Sequence, residues 1–83
     1  MEETISISDC SILTGLSQKQ LRTFESRGYI KPPVRITCGE VSYRRYNQEN
    51  IRNLEAFKKF IDEGYTHPVA AKKALDELQK EKN

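Results

Sequence analysis

Lys31-Pro32-Pro33 marks a point that no helix can cross: proline has no backbone N–H to donate and drives the residue before it toward an extended conformation. The chain is divided there into a helical first part and a segment that must begin extended. With 83 residues in all, neither part is large enough to bury a core alone, so the two are expected to pack as one domain, 1–83.

Upstream of the break, Ser6-Ile7-Ser8-Asp9 has the form of a capping box, with a hydroxyl and a carboxylate placed to satisfy backbone donors reciprocally. Gly15 supplies the stop, and Ile7, Cys10 and Leu13, three apart, predict the buried face of a short helix. Ser17-Gln18-Lys19-Gln20 repeats the start signal for a second helix anchored by Leu21 and Phe24 and ended by Gly28. Two short helices joined by the tight Gly15-Leu16-Ser17 turn make a helix-turn-helix over about 6–28.

Downstream, Val34 to Thr37 alternates apolar with polar, Cys38-Gly39-Glu40 offers a turn, and Val41 to Tyr46 returns as a second β-prone strand, predicting a hairpin over about 34–46. Asn47 caps a third helix, about 48–63, with Ile51, Leu54, Phe57, Phe60 and Ile61 as its apolar stripe and Gly64 at its end. Thr66 caps a fourth, about 67–80, which tolerates Pro68 in its first turn and whose buried side is expected to include Val69, Ala71, Leu75 and Leu78. The tail Lys80-Glu81-Lys82-Asn83 is expected to fray. The fold class is mostly α with a small β-hairpin.

Charge is segregated along this framework. Residues 17 to 46 carry seven cationic side chains (Lys19, Arg22, Arg27, Lys31, Arg35, Arg44 and Arg45) against Glu25 and Glu40, giving +5 in a chain of net +2. A localised cationic surface is the footprint of a domain that grips a polyanion, nucleic acid above all. With Leu21 and Phe24 turned inward, Gln18, Lys19, Arg22 and Thr23 face outward near the start of the second helix, where base edges are met. Arg35, Arg44 and Arg45 add guanidinium forks on the hairpin, suited to two parallel hydrogen bonds with phosphate. Strand alternation sends Arg44 and Arg45 to opposite faces; Arg44 is expected on the DNA backbone and Arg45 in an internal pair, for example with a glutamate of the third helix. Tyr43 and Tyr46 fit either the ribbon surface or the core.

Other chemistry finds little support. His67, the single histidine, has no ligand-type residue at metal spacing. Cys10 and Cys38 read as free thiols, the first a small buried hydrophobe and the second exposed at the hairpin tip. No catalytic constellation is present, so neither enzymatic activity nor a cofactor or metal is expected. No apolar run reaches the roughly 18 residues of a membrane span, and the acidic start Met1-Glu2-Glu3 is unlike a secretory signal. The expected location is cytoplasmic, in association with the nucleoid.

These residues, in order, resemble the MerR-type DNA-binding domain: Ile5 to Asp9, Leu13 to Ser17, Leu21-Arg22-Thr23-Phe24-Glu25, Gly28-Tyr29-Ile30, Pro32, Tyr43-Arg44-Arg45-Tyr46 and Glu63-Gly64-Tyr65-Thr66. The resemblance spans residues 5 to about 76 and implies a winged helix-turn-helix of about four helices plus a two-stranded wing. It places the second helix in the major groove, the hairpin as a first wing, and a second wing around the third and fourth helices. By position it implies DNA contacts for Arg22 and Arg44, a role for Phe24 at the helix–backbone contact or the core boundary, and a phosphate site at Tyr65-Thr66. Thr23 stands where the family commonly has tyrosine or histidine, and the loop from Ile36 to Ser42 is expected to be longer than in many relatives.

The implied function is sequence-preferring binding of double-stranded DNA by a transcriptional regulator. Kept beside it are an excisionase-like or architectural factor and a protein-interaction module, such as an antirepressor target, on the same fold. Typical members of the family continue into a dimerisation helix and an effector domain. A chain ending at Asn83 is therefore expected to be part of a longer regulator, a small standalone relative, or a protein that dimerises on DNA or through its fourth helix, which is also the expected site of any protein partner.

Overall fold

A computed structural model of the chain describes residues 3–81. The elements run β1 (Ile5–Ser6), α1 (Ile7–Thr14), α2 (Gln18–Ser26), β2 (Val34–Cys38), β3 (Val41–Tyr46), α3 (Gln48–Asp62) and α4 (His67–Glu81). Lys82 and Asn83, the end of the tail expected to fray, lie outside the described residues, as do Met1 and Glu2.

The helix starts follow the sequence signals closely. Ser17 Oγ accepts the Gln20 amide at 3.0 Å while Gln20 Oε1 accepts the Ser17 amide at 2.9 Å, a complete capping box. Asn47 and Asn50 make the equivalent reciprocal pair at 2.8 and 2.9 Å for α3. At α1 only the first half of the box is present, Ser6 Oγ accepting the Asp9 amide at 3.1 Å. Gly15 closes α1 with φ at 79°, a left-handed backbone that favours glycine, while a β-carbon there would meet only the flexible end of Lys58, at 3.2 Å from Cε.

Leu21, Phe24, Tyr46, Leu54 and Phe57 form the centre of the core, with Cys10, Leu16 and Ile30 closing it from the first part of the chain. Two readings of buried faces are corrected. On α1, Leu13 is 58% exposed and Thr14 takes the inward place, donating from Oγ1 to the Cys10 carbonyl at 2.8 Å and accepting the Leu16 amide. On α4, Ala70, Ala71, Ala74 and Leu78 face α3 while Val69 and Leu75 are exposed, because the small alanines let the two helices approach closely. The expected stripe of α3 is present, with Leu54 and Phe57 fully buried, Phe60 and Ile61 packed half-buried against the core, and Ile51 half-buried.

Burial drives the Tyr46 hydroxyl up to about 12, helped by the nearby Cys10 and Glu25. Burial likewise raises Cys10 to about 11. Tyr46 is thus settled as a core residue at 0% exposure, and Tyr43 as a surface one at 55%.

The sheet has three strands in the order β1-β3-β2, all antiparallel. The first was not foreseen: Ile5 pairs with Tyr46 and Ser6 with Arg45, and two residues are too few to show alternation. The hairpin spans the expected residues, 34–46, but its loop is shorter than the 36–42 expected. Pairing extends from Val34↔Arg45 out to Cys38↔Val41, and a two-residue Gly39-Glu40 turn, with Gly39 at φ 64°, replaces a loop over 36–42.

The double-proline segment is tied to α3 by buried polar side chains. Asn53 Oδ1 accepts the Lys31 amide at 2.8 Å, and Asn50 Nδ2 donates to the carbonyls of Lys31 and Pro32 at 3.3 and 3.2 Å. Lys31 Nζ also pairs with Glu49 at the start of α3. These bonds aim the chain out of the helical part and into the wing.

Candidate nucleic-acid interface

Helix α2 divides its residues between two tasks. Leu21 and Phe24 are buried, at 0% and 5% exposure, while Lys19, Arg22 and Thr23 stand exposed and Gln18 is half-buried. Gln18 and Arg22, one turn apart, touch at 3.4 Å between Oε1 and Nη2, a long contact that leaves both available. Of the two roles expected for Phe24, its burial fits the core boundary. Its ring packs edge-on to the buried Phe57 at 5.0 Å and to the exposed His67 at 5.2 Å. His67 is accounted for by the same aromatic cluster, which Tyr29 completes.

The ribbon has two unlike faces. Val34 and Arg45, Ile36 and Tyr43, and Cys38 and Val41 are cross-strand partners on one side; Arg35 and Arg44, with Thr37 and Ser42, are partners on the other. Two guanidinium groups directly opposite one another repel. Glu25 of α2 lies between them: Arg44 Nε donates to its Oε1 at 2.8 Å and Arg35 Nη2 to its Oε2 at 2.7 Å. Burial pushes the Glu25 carboxyl up, but the hydrogen bonds and charges of Arg44 and Arg35 outweigh it, and the group ends below its ordinary value.

Arg45 is held internally, as expected, and the bonds that hold it go to Thr4 just before β1: Nε donates to Thr4 Oγ1 at 3.1 Å and Nη2 to the Thr4 carbonyl at 2.8 Å. The acidic partner belongs to Arg44 and lies on α2.

Because β1 pairs with only the last two residues of β3, the remainder of that strand borders an open groove of about 610 Å³. Arg22 of α2 and Arg44 and Arg45 of the wing all line it, together with Thr4, Ile7, Ile36 and Tyr43. Tyr65 and Thr66 occupy the turn between α3 and α4 and do not line this groove. Tyr65 is 42% exposed, edge-on to Phe60 at 5.9 Å and with the Lys73 ammonium 4.7 Å from its ring centre. The Thr66 carbonyl accepts the Ala70 amide at 2.8 Å, opening α4.

Two features of the site escaped sequence reading. Thr4 and Ile7 come to the groove only through the unforeseen β1 pairing. Glu25 left a readable trace, being one of two anions among seven cations between residues 17 and 46. Among the described residues no group of three histidine, cysteine or acidic side chains is placed to hold a metal, and no helix is long and apolar enough to cross a membrane.

Two short helices with a tight turn, followed by a ribbon set beside the second of them, define a winged helix-turn-helix domain. Residues 5–78 match the model of the MerR HTH family regulatory proteins. The chain belongs to the MerR family. It is 35% identical over 77 residues to a probable heavy metal-dependent transcriptional regulator of Haemophilus influenzae, covering 92% of this chain and 58% of that protein. To the HTH-type transcriptional regulator CueR of Escherichia coli O6:H1 it is 33% identical over 61 residues, 74% of this chain and 43% of the relative. With CueR of Vibrio cholerae it shares 38% identity over 50 residues, 60% and 34% of the two chains. The chain thus corresponds to roughly half or less of the length of these regulators.

Proposed function

We propose that this domain binds double-stranded DNA with sequence preference and serves transcriptional regulation, α2 entering the major groove and the β2–β3 wing lying along the backbone. The observation that carries this reading is the meeting of Arg22 from α2 with Arg44 and Arg45 from the wing along one open groove. Gln18, Lys19, Arg22 and Thr23 supply donors and a methyl group for base edges. Arg35, Arg44 and Arg45 fix register on phosphates, which carry affinity but no sequence information. Tyr65-Thr66, at the start of α4, serves as a second backbone contact. Neither catalysis nor a cofactor is part of this reading. Two copies on an inverted repeat gain affinity through effective concentration.

Titration with duplex DNA over a range of salt tests the proposal. Contact with about five phosphates gives a slope of log K against log salt of about −4 to −5. Selection of bound duplexes from a random pool reports preference and half-site symmetry together. A slope near zero, or recovery of no shared sequence, overturns the respective half of the reading.

A further inference from the structure

We propose, on the reading that this domain binds duplex DNA, that Glu25 is the positioning residue of the wing: its carboxylate holds Arg44 in the groove beside Arg22 while leaving the arginine's outer donors for a phosphate. Glu25 sits three residues after Arg22 on α2, so one helical turn presents a cation to the groove and an anion to the ribbon. Its side chain is 12% exposed and the Arg44 side chain 24%. Glu25 takes Nε of Arg44, and the terminal Nη atoms are not used in that bond. Its second oxygen takes Arg35, the cross-strand partner of Arg44, so a single carboxylate offsets the repulsion within the pair and joins both strands of the wing to α2.

This assignment makes a prediction of unexpected sign. An acidic residue beside a phosphate-binding surface ordinarily weakens binding by repulsion, and its neutralisation tightens it. Here Glu25→Gln weakens binding to a duplex by about tenfold, the scale of one charge-assisted hydrogen bond, although the protein loses a negative charge. The slope of log K against log salt becomes shallower by about one phosphate contact, ~0.9. Glu25→Gln combined with Arg44→Ala binds no worse than Arg44→Ala alone, because the carboxylate acts through that arginine.

Binding by folded Glu25→Gln at wild-type strength or better, or full additivity of the two substitutions, overturns the inference while leaving the DNA-binding proposal intact. A wild-type domain that binds no duplex overturns both. The wild type alone gives an independent measure by NMR of the Arg44 Nε–H proton. Slow exchange with solvent in the free domain, retained with duplex bound, is the expected result; loss of that protection on binding shows that the carboxylate releases the arginine, and overturns positioning.

Discussion

The side-chain oxygen of Asn53 accepts the backbone N–H of Lys31 at 2.8 Å, joining a fully buried position of α3 to the residue before the double proline, 22 positions earlier. Loss of that oxygen leaves a part-buried amide without this partner, which costs about 1–3 kcal/mol at most. Asn53→Ala is expected to lower the melting temperature by about 4–8 °C for each kcal/mol lost in a domain of this size. Thermal denaturation followed by circular dichroism checks it, and a shift below one degree would show that the segment is held by other means.

Arg22 is exposed and takes no part in the core. Arg22→Ala should therefore leave thermal stability within about 0.5 kcal/mol of wild type. Its cost appears in duplex binding: about 1–3 kcal/mol with relaxed preference at one base if the side chain reads a base edge, or a salt slope shallower by about 0.9 if it meets a phosphate. Anisotropy titrations on matched and mismatched duplexes separate these outcomes.

Tyr46 is fully buried, and its hydroxyl has no hydrogen-bond partner among the described residues. Removal of that oxygen keeps the ring in place and relieves the desolvation of a polar group. Tyr46→Phe is expected to be neutral or stabilising, by up to about 1–2 kcal/mol on the scale of protein substitutions. Urea unfolding measures it; destabilisation by more than 1 kcal/mol would mean that the hydroxyl is satisfied in solution.

Glu25 titrates below its ordinary value of 4.5 in the folded chain. A carboxyl with a depressed folded value contributes stability that is fully present above the unfolded value and fades as pH falls through the folded one. The stability difference between wild type and Glu25→Gln should hold steady above pH 4.5 and shrink below it. Denaturant melts of both proteins at a series of pH values test this, and a difference that grows on acidification would reverse the sign.

Helix boundaries were legible in the sequence because capping is local chemistry: Ser17 with Gln20 and Asn47 with Asn50 announce themselves within four residues. Buried faces were less so. Leu13 and Thr14 are adjacent, and which one turns inward depends on how α1 leans on its neighbours, a tertiary fact that hydrophobicity alone misassigns. Within the site, placement of Arg22 on the exposed side of α2 followed from Leu21 and Phe24 being inside. The partners of Arg44 and Arg45 did not, since Glu25 and Thr4 lie 19 and 41 positions away and reach them only through the fold.

The pairing of Ile5 with Tyr46 also fixes an order of events during synthesis. As the chain leaves the ribosome, the residues of the first two helices are out long before the strand that borders them has anything to bind. That edge can close only once the ribbon has emerged and turned back, so the N-terminal segment waits for a template made some forty residues later, the non-local kind of contact that slows folding.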